Sequence, residues 1–292
     1  MNEYKVDILM MTYNHEPFIA QAIESILNQK TNFGFRLIIG EDCSTDNTLE
    51  ICSSYVQKFP DKILLINQSI NIGHHKNFIE IYNLTNSTYI ALCEGDDYWT
   101  DENKLQLQVD FLDSHPDYLI CFHPVNEISN DGFIKISNQG QKQTTDIKDL
   151  INGWYMNTAS YMFRNQRRIH FPEWFFKSKA TDLCFHILLA ERGGKIFFMD
   201  RIMAAYQRHS GGVTDEKADF IYHLRKNISF YKDMISYFKT QNIQYVNAAQ
   251  KKLWDIQSHL FYQLRYKREK QFFEYFELFK LGFIVKIMPK FR

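Results

Sequence analysis

Three times within residues 5–84 an apolar run gives way to a polar loop and then to apolar residues at helical spacing, a fourth apolar run follows, and that repeat leaves few folds open. Val6 to Met11 breaks at Thr12-Tyr13-Asn14-His15-Glu16, after which Pro17 suits the first turn of a helix carrying Phe18, Ile19, Ala22, Ile23, Ile26 and Leu27. Phe35 to Gly40 leads through Glu41-Asp42-Cys43-Ser44-Thr45-Asp46 into a helix with Leu49, Ile51, Cys52, Tyr55 and Val56, which Ser44 or Asp46 would cap. Lys62 to Asn67 leads through Asn71-Ile72-Gly73-His74-His75-Lys76-Asn77 into a helix with Phe78, Ile81, Tyr82 and Leu84. The fourth run, Thr88 to Cys93, ends in Glu94-Gly95-Asp96-Asp97. Apolar runs without alternation suit strands buried on both faces, and strands alternating with helices imply a parallel sheet with right-handed crossovers. The four loops then share one sheet edge, the edge at which such folds bind ligands.

Glu94, Asp96 and Asp97 repel one another unless a cation sits among them, and hard oxygen donors suit Mg²⁺ or Mn²⁺ that also bridges phosphates. The other reading is a solvated acidic turn capping a helix that begins near Asp101. Together the loops offer an aromatic ring, amides, carboxylates, a glycine, two histidines and a lysine, a mixture that fits a nucleoside diphosphate with a metal better than a nicotinamide. Neither G-x-G-x-x-G after the first strand nor G-x-x-x-x-G-K-[ST] occurs. His74 and His75 read as surface polar residues, since no paired spacing supports zinc, and Trp99 reads as a packing anchor.

With 292 residues and 45% hydrophobic content the chain suits one large α/β domain plus an appendage. The sequence opens without a charged leader and holds no run of roughly 18 apolar residues, which predicts a cytoplasmic protein. Five cysteines, odd in number and without metal spacing, predict a reducing compartment. Net charge is zero, yet residues 216–292 carry 15 Lys and Arg against 7 Asp and Glu, so an acidic body bears a basic tail.

In the second half, Asp117 to His123 reads as a strand, Pro124 to Gln143 as hairpin and loop, and Asn157 to Arg164 as another strand. Lys179-Ala180-Thr181-Asp182 opens an amphipathic helix with Leu183, His186, Ile187 and Leu189, where Asp182 also suits a purely structural place at a helix N-terminus. Strand-like Ile196 to Met199 and Ile202 to Tyr206 lead to Gln207-Arg208-His209-Ser210-Gly211-Gly212, a glycine-bearing loop of the kind that folds over ligands. Phe220 to Phe238 and Tyr245 to Leu264 have helical periodicity and form a hairpin. Phe272 to Phe291 is aromatic and basic, suited equally to an anionic membrane surface and to packing on the domain or on a second copy.

Taken in order, Thr12-Tyr13-Asn14, Glu41-Asp42 with Ser44-Thr45-Asp46, Asn71-Ile72-Gly73 and Glu94-Gly95-Asp96-Asp97 resemble the successive donor-site motifs of family 2 glycosyltransferases, over about residues 5–213. The piece Glu94 to Asp117, with Tyr98-Trp99, Lys104-Leu105 and His115-Pro116, looks like the bacterial branch that decorates surface polysaccharides. The resemblance implies the α/β GT-A fold, Rossmann-like with a mostly parallel sheet flanked by helices, in residues 1–215. Residues 1–100 would form the nucleotide-binding half and 101–215 the acceptor half, with a C-terminal helical extension in 216–292. It also implies a nucleotide base near Thr12, Tyr13 and Asp42, and donor contacts from Asn14, Glu16, Asn71, Gly73, Lys76, Asn77 and Glu94. Asp96 and Asp97 would bind Mn²⁺ or Mg²⁺ with His209, the histidine of a motif whose arginine is displaced by one in Tyr206-Gln207-Arg208-His209. Asp182 matches the general base.

The implied activity is inverting, metal-dependent transfer of one sugar from a UDP-sugar to a glycan or lipid-linked glycan hydroxyl, because the Gln-x-x-Arg-Trp motif and membrane spans of processive synthases are absent. A sugar-phosphate nucleotidyltransferase and a non-catalytic sugar-nucleotide or glycan binding module are the alternatives. Nucleic acid is not an expected partner, and residues 272–292 mark a place for peripheral contact with the inner face of the cell membrane or for self-association.

Overall fold

The computed structural model describes residues 4–266 apart from 130, 139, 154, 168, 179–180 and 210–219. Contacts divide the chain into residues 1–212 and 213–292. The first unit begins with β1 (Val6–Thr12), α1 (Ile19–Leu27), β2 (Phe35–Glu41), α2 (Thr48–Lys58), β3 (Ile63–Asn67), α3 (His74–Asn83) and β4 (Tyr89–Leu92). It continues with β5 (Tyr98–Trp99), α4 (Lys104–Ser114), β6 (Tyr118–Phe122), β7 (Asn126–Ile128), β8 (Ile134–Ile136), β9 (Thr144–Thr145) and α5 (Ile147–Asn152). β10 (Met162–Arg164), α6 (Glu173–Lys177), α7 (Thr181–Ala190), β11 (Lys195–Phe198) and β12 (Ala204–Gln207) complete it.

The large sheet runs β3-β2-β1-β4-β10-β6-β11-β9. β1 to β4 are mutually parallel, β10 is antiparallel to both β4 and β6, and β11 returns parallel to β6. Every residue of β1 and β4 is buried, as runs without alternation require of strands covered on both faces. The small sheet β5-β12-β7-β8 sits beyond the end of β4, with β12 antiparallel to β5 in register Ala204 to Trp99.

Three expectations need correction. α7 is not amphipathic: Thr181 and Leu183 to Ala190 are all buried and only Asp182 is partly open, because protein covers the helix on every side. The strand expected over Asn157–Arg164 is reduced to Met162–Arg164. Before it the chain makes a 3-10 turn over Thr158–Ser160, where the Ser160 hydroxyl bonds back to the Asn157 carbonyl, a local bond that competes with ladder pairing. The strand expected over Ile202–Tyr206 is displaced to Ala204–Gln207 and belongs to the small sheet.

In the second unit, α8 (Phe220–Gln241) and α9 (Val246–Tyr266) form a hairpin through a short 3-10 turn at Ile243–Tyr245, burying Leu224, Tyr231 and Phe238 with Ala249, Leu260 and Leu264. No described helix is long and apolar enough to cross a membrane. The basic aromatic stretch 272–292 and Gly211-Gly212 lie outside the described residues.

Candidate active site

The order β3-β2-β1-β4 reverses direction between β1 and β4, and the crevice at such a reversal is where α/β sheets take ligands. The loops after these strands approach closely. A Cβ on Gly95 would lie 2.6 Å from Thr12 Oγ1 and 2.9 Å from His15 Nδ1, so only glycine lets the acidic loop cross the first loop here.

The acids after β4 form one end of the site. Asp96 Oδ2 lies 2.9 Å from His209 Nε2 and 3.6 Å from His15 Nε2. Burial works against ionisation of Asp96, but the hydrogen bond from His209 and the charges of both histidines hold its carboxyl below the usual value; Asp96 in turn raises His209. Burial lowers His15, against the pull of Asp96. Asp97 is buried, accepts the Gln207 backbone N–H at 3.1 Å, and is pushed well above the usual carboxylate range by burial and by Asp96. Gln207 also donates its side-chain amide to the Asp96 carbonyl at 2.9 Å, while Arg208, the arginine displaced in the motif, pairs with Glu127. Asp96 Oδ1 and Asp97 Oδ2 are buried without a hydrogen-bond partner. Imidazole and carboxylate donors with unpaired buried oxygens fit a divalent ion, which would also remove the repulsion that raises Asp97.

Asp182 forms the other end, in the first turn of α7. Its Oδ2 accepts a 2.6 Å hydrogen bond from Thr158 Oγ1 on the 3-10 turn. That turn is held from beneath: Trp99 Nε1 donates to the Ala159 carbonyl at 3.1 Å and Gln108 Nε2 to the Ser160 carbonyl at 3.0 Å. Trp99 is buried, as an anchor should be. Met11, Phe78, Leu92, Tyr161 and Phe185 line an apolar recess beside Asp182 and His74.

Glu94 joins the two ends. One oxygen of Glu94 lies within 4.8 Å of carboxylate oxygens of Asp96 and Asp97, and Glu94 also makes a group of the same tightness with Asp182 and His74. Burial first, then the charges of Asp182, Asp96 and Asp97, push its carboxyl well above the usual range. His74, expected at the surface, is thus brought into the site, and His15, passed over as a ligand, faces Asp96. His75 bonds Thr181 Oγ1 at 2.9 Å and stacks edge-on against Phe175.

The expected donor residues divide into groups facing the crevice and groups holding its loops. Tyr13 is 42% exposed at the end of β1, and Asn71 and Lys76 are exposed on the third loop. Thr12 is buried with its hydroxyl unpaired beneath Gly95. Asn14, in the left-handed region at φ 55°, accepts from the Thr45 N–H at 2.8 Å, and Glu16 accepts from the Asn47 side-chain amide at 2.6 Å, so both tie the first loop to the second. Asp46, rather than Ser44, satisfies the start of α2, accepting from the Thr48 N–H and hydroxyl. Asp42 is buried and accepts from the N–H groups of Ile72 and Gly73 at 2.8 and 2.9 Å, which bends the third loop toward the crevice. Asn77 is buried and donates to the Gly40 carbonyl at 2.7 Å, bracing α3 on β2 beneath the surface.

Known structures share this architecture. S. aureus TarS in complex with UDP-GlcNAc aligns with a TM-score of 0.61 at 18% identity, over 79% of this chain and 66% of that one. Mannosyltransferase PcManGT from Pyrobaculum calidifontis, in complex with GDP-Man and Mn²⁺, aligns with a TM-score of 0.54 at 13% identity, over 89% and 75%. The fold is that of the GT-A glycosyltransferases. Residues 7–208 match the profile of glycosyl transferase family 2, and the chain belongs to that family.

Among curated relatives, the uncharacterized protein Rv1520 of Mycobacterium tuberculosis is 34% identical over 210 residues, 71% of this chain and 60% of its own length. The dTDP-rhamnosyl transferase RfbG of Shigella flexneri is 28% identical over 61% of this chain and 62% of its own. The chain therefore spans about three fifths of the length of these two relatives.

Proposed function

We propose that the protein is an inverting, metal-dependent glycosyltransferase that moves one sugar from a UDP-sugar to a hydroxyl of a glycan or lipid-linked glycan. The observation that carries this reading is the position of Glu94, which makes the Asp96 end and the Asp182 end two halves of one site. Asp96 and His209 would hold the ion, which when bound supplies positive charge to the departing diphosphate. Tyr13, at the end of β1, offers a ring face to the base, and Asn71 and Lys76 flank the path of the phosphates. Asp182, fixed by Thr158, takes the acceptor proton as the hydroxyl oxygen attacks the anomeric carbon from the side opposite the diphosphate. A nucleotide-sugar donor is supported by the UDP-GlcNAc that TarS binds and by the dTDP-rhamnosyl transfer for which RfbG is named, the former favouring UDP.

The test is UDP release and sugar transfer by wild type and Asp182→Asn, with Mn²⁺ affinity and nucleotide affinity measured alongside by calorimetry. Asp182→Asn is expected to keep both affinities while transfer falls by about 10² to 10⁴, the usual range for loss of a general base. Transfer near the wild-type rate would remove Asp182 from this role, and wild-type binding of UDP-sugar with no turnover would favour a binding module.

A further inference from the structure

We propose that His15 is a third protein ligand of the divalent ion at Asp96, making a two-histidine, one-carboxylate centre that takes first-row transition ions such as Mn²⁺ and discriminates against Mg²⁺. The proposal rests on the metal-dependent reading above and deepens it. His15 and His209 approach the same oxygen, Asp96 Oδ2, from separate parts of the fold, one from the loop after β1 and the other after β12. The three donor atoms lie within 4.8 Å of one another. Donors about 2.1 Å from one ion stand about 3.0 Å apart at a right angle and about 3.6 Å apart at 120°. The observed separations from Asp96 Oδ2, 2.9 Å to His209 and 3.6 Å to His15, fall at those values.

His15 has no other use in view. Its Nδ1 is buried and unpaired, and its Nε2 is too far from Asp96 for a hydrogen bond, so the ring makes none among the described residues. Buried polar groups are normally satisfied, and the unpaired buried Asp96 Oδ1 beside a His15 Nε2 that makes no hydrogen bond points to an ion between them. The backbone that carries the ring is fixed by the His15 backbone N–H, which donates to Thr48 Oγ1 at 2.9 Å, and the ring itself lies against Gly95. Phe18 packs on the His209 ring at 4.6 Å and holds the second imidazole edge-on to the first. Two imidazoles and one carboxylate leave coordination positions for diphosphate oxygens. That set suits first-row transition ions, whereas Mg²⁺ prefers oxygen donors and retained water.

The experiment titrates Mn²⁺ into the metal-stripped full chain with UDP present, reading free Mn²⁺ by electron paramagnetic resonance and bound imidazole by its nitrogen modulation, in wild type, Asp96→Asn, His15→Ala and His15→Gln. Metal-free thermal unfolding certifies the fold of each variant, and His15→Gln serves if His15→Ala is unstable. Wild type should show two coordinated imidazoles and retain Mn²⁺ against a roughly tenfold excess of Mg²⁺, as the donor preference requires. The His15 variants should show one imidazole, bind Mn²⁺ at least about tenfold more weakly and lose the preference over Mg²⁺, as removal of a nitrogen donor requires. Loss of Mn²⁺ in Asp96→Asn together with unchanged binding and two imidazoles in the His15 variants overturns the proposal and leaves the metal-dependent reading intact. Unchanged Mn²⁺ binding in Asp96→Asn overturns both.

Discussion

At the scale of single residues, the role proposed for Asp182 needs its carboxylate held at one angle, and Thr158 does this. Its hydroxyl reaches Asp182 Oδ2 at 2.6 Å. A hydrogen bond to a charged group contributes about 1.5–3 kcal/mol, so Thr158→Val should lower kcat by about 10- to 100-fold. The donor KM should stay near wild type and Thr158→Ser should restore the rate. Steady-state kinetics of the three proteins check this, and equal losses in Val and Ser would mean that the turn itself had been damaged. Thr158 was not legible beforehand because its partner lies 24 residues away and belongs to an element whose docking no local pattern records. The same limit hid His15 and His74. Spacing arguments see histidines that share a helix face, whereas His15 meets Asp96 only after β1 and β4 have paired and Gly95 has let their loops touch. Asp96 and Asp182 were singled out by the resemblance, as acids at the end of an apolar run and at the start of an apolar helix, and the structure brings both beside Glu94.

At the scale of elements, α4 and the short strand β5 act as a girder beneath the turn that holds Asp182. Lys104 is fully buried, its ammonium 2.7 Å from Gln108 Oε1 and 4.2 Å from the centre of the Trp99 ring, and Gln108 in turn holds the 3-10 turn. The Trp99 and Lys104 positions that looked like a family signature thus brace the turn carrying Thr158. Burial lowers the Lys104 pKa from 10.5 to about 7. Below about pH 7 the ammonium is charged in both folded and unfolded chains and the burial penalty is fully present. Above it the folded chain gives up a proton that the unfolded chain keeps, so stability rises by about 1.4 kcal/mol per pH unit.

Above about pH 8.5 the buried thiols act in the opposite direction, because unfolded cysteines ionise while Cys93, Cys121 and Cys184 stay protonated. Glu94 and Asp97, raised well above the usual range, pull the slope down in both proteins, so the test is a difference: between these limits the unfolding free energy of wild type in urea should gain on that of Lys104→Met by up to about 1.4 kcal/mol per pH unit, and Lys104→Met should gain most stability at the acid end. Parallel slopes in the two proteins would exclude Lys104 as the source. The parallel strands were readable as elements because both faces are covered and their runs are apolar throughout. α7 was misread for a related reason: Leu183, His186 and Ile187 at helical spacing read as one buried face, whereas Cys184, Phe185 and Leu188 on the other faces are buried as well.

At the scale of the whole molecule, the donor loops come from a contiguous stretch ending at Asp97, whereas the residues proposed to complete the chemistry, Asp182 and His209, arrive from much later in the chain. The small sheet is what returns His209 to the first loops, through β12 laid against β5. That closing contact spans 113 residues. Its consequence is kinetic. Contacts so distant in sequence form late, because a long loop must close before they add stability, and chains of this size pass through partly folded states. On refolding from urea, far-UV circular dichroism should recover first, while binding of a fluorescent UDP analogue with Mn²⁺ appears in a slower phase, and coincident single phases would contradict this order. A chain that has built its sheet is then, for a measurable interval, one that does not yet recognise its donor.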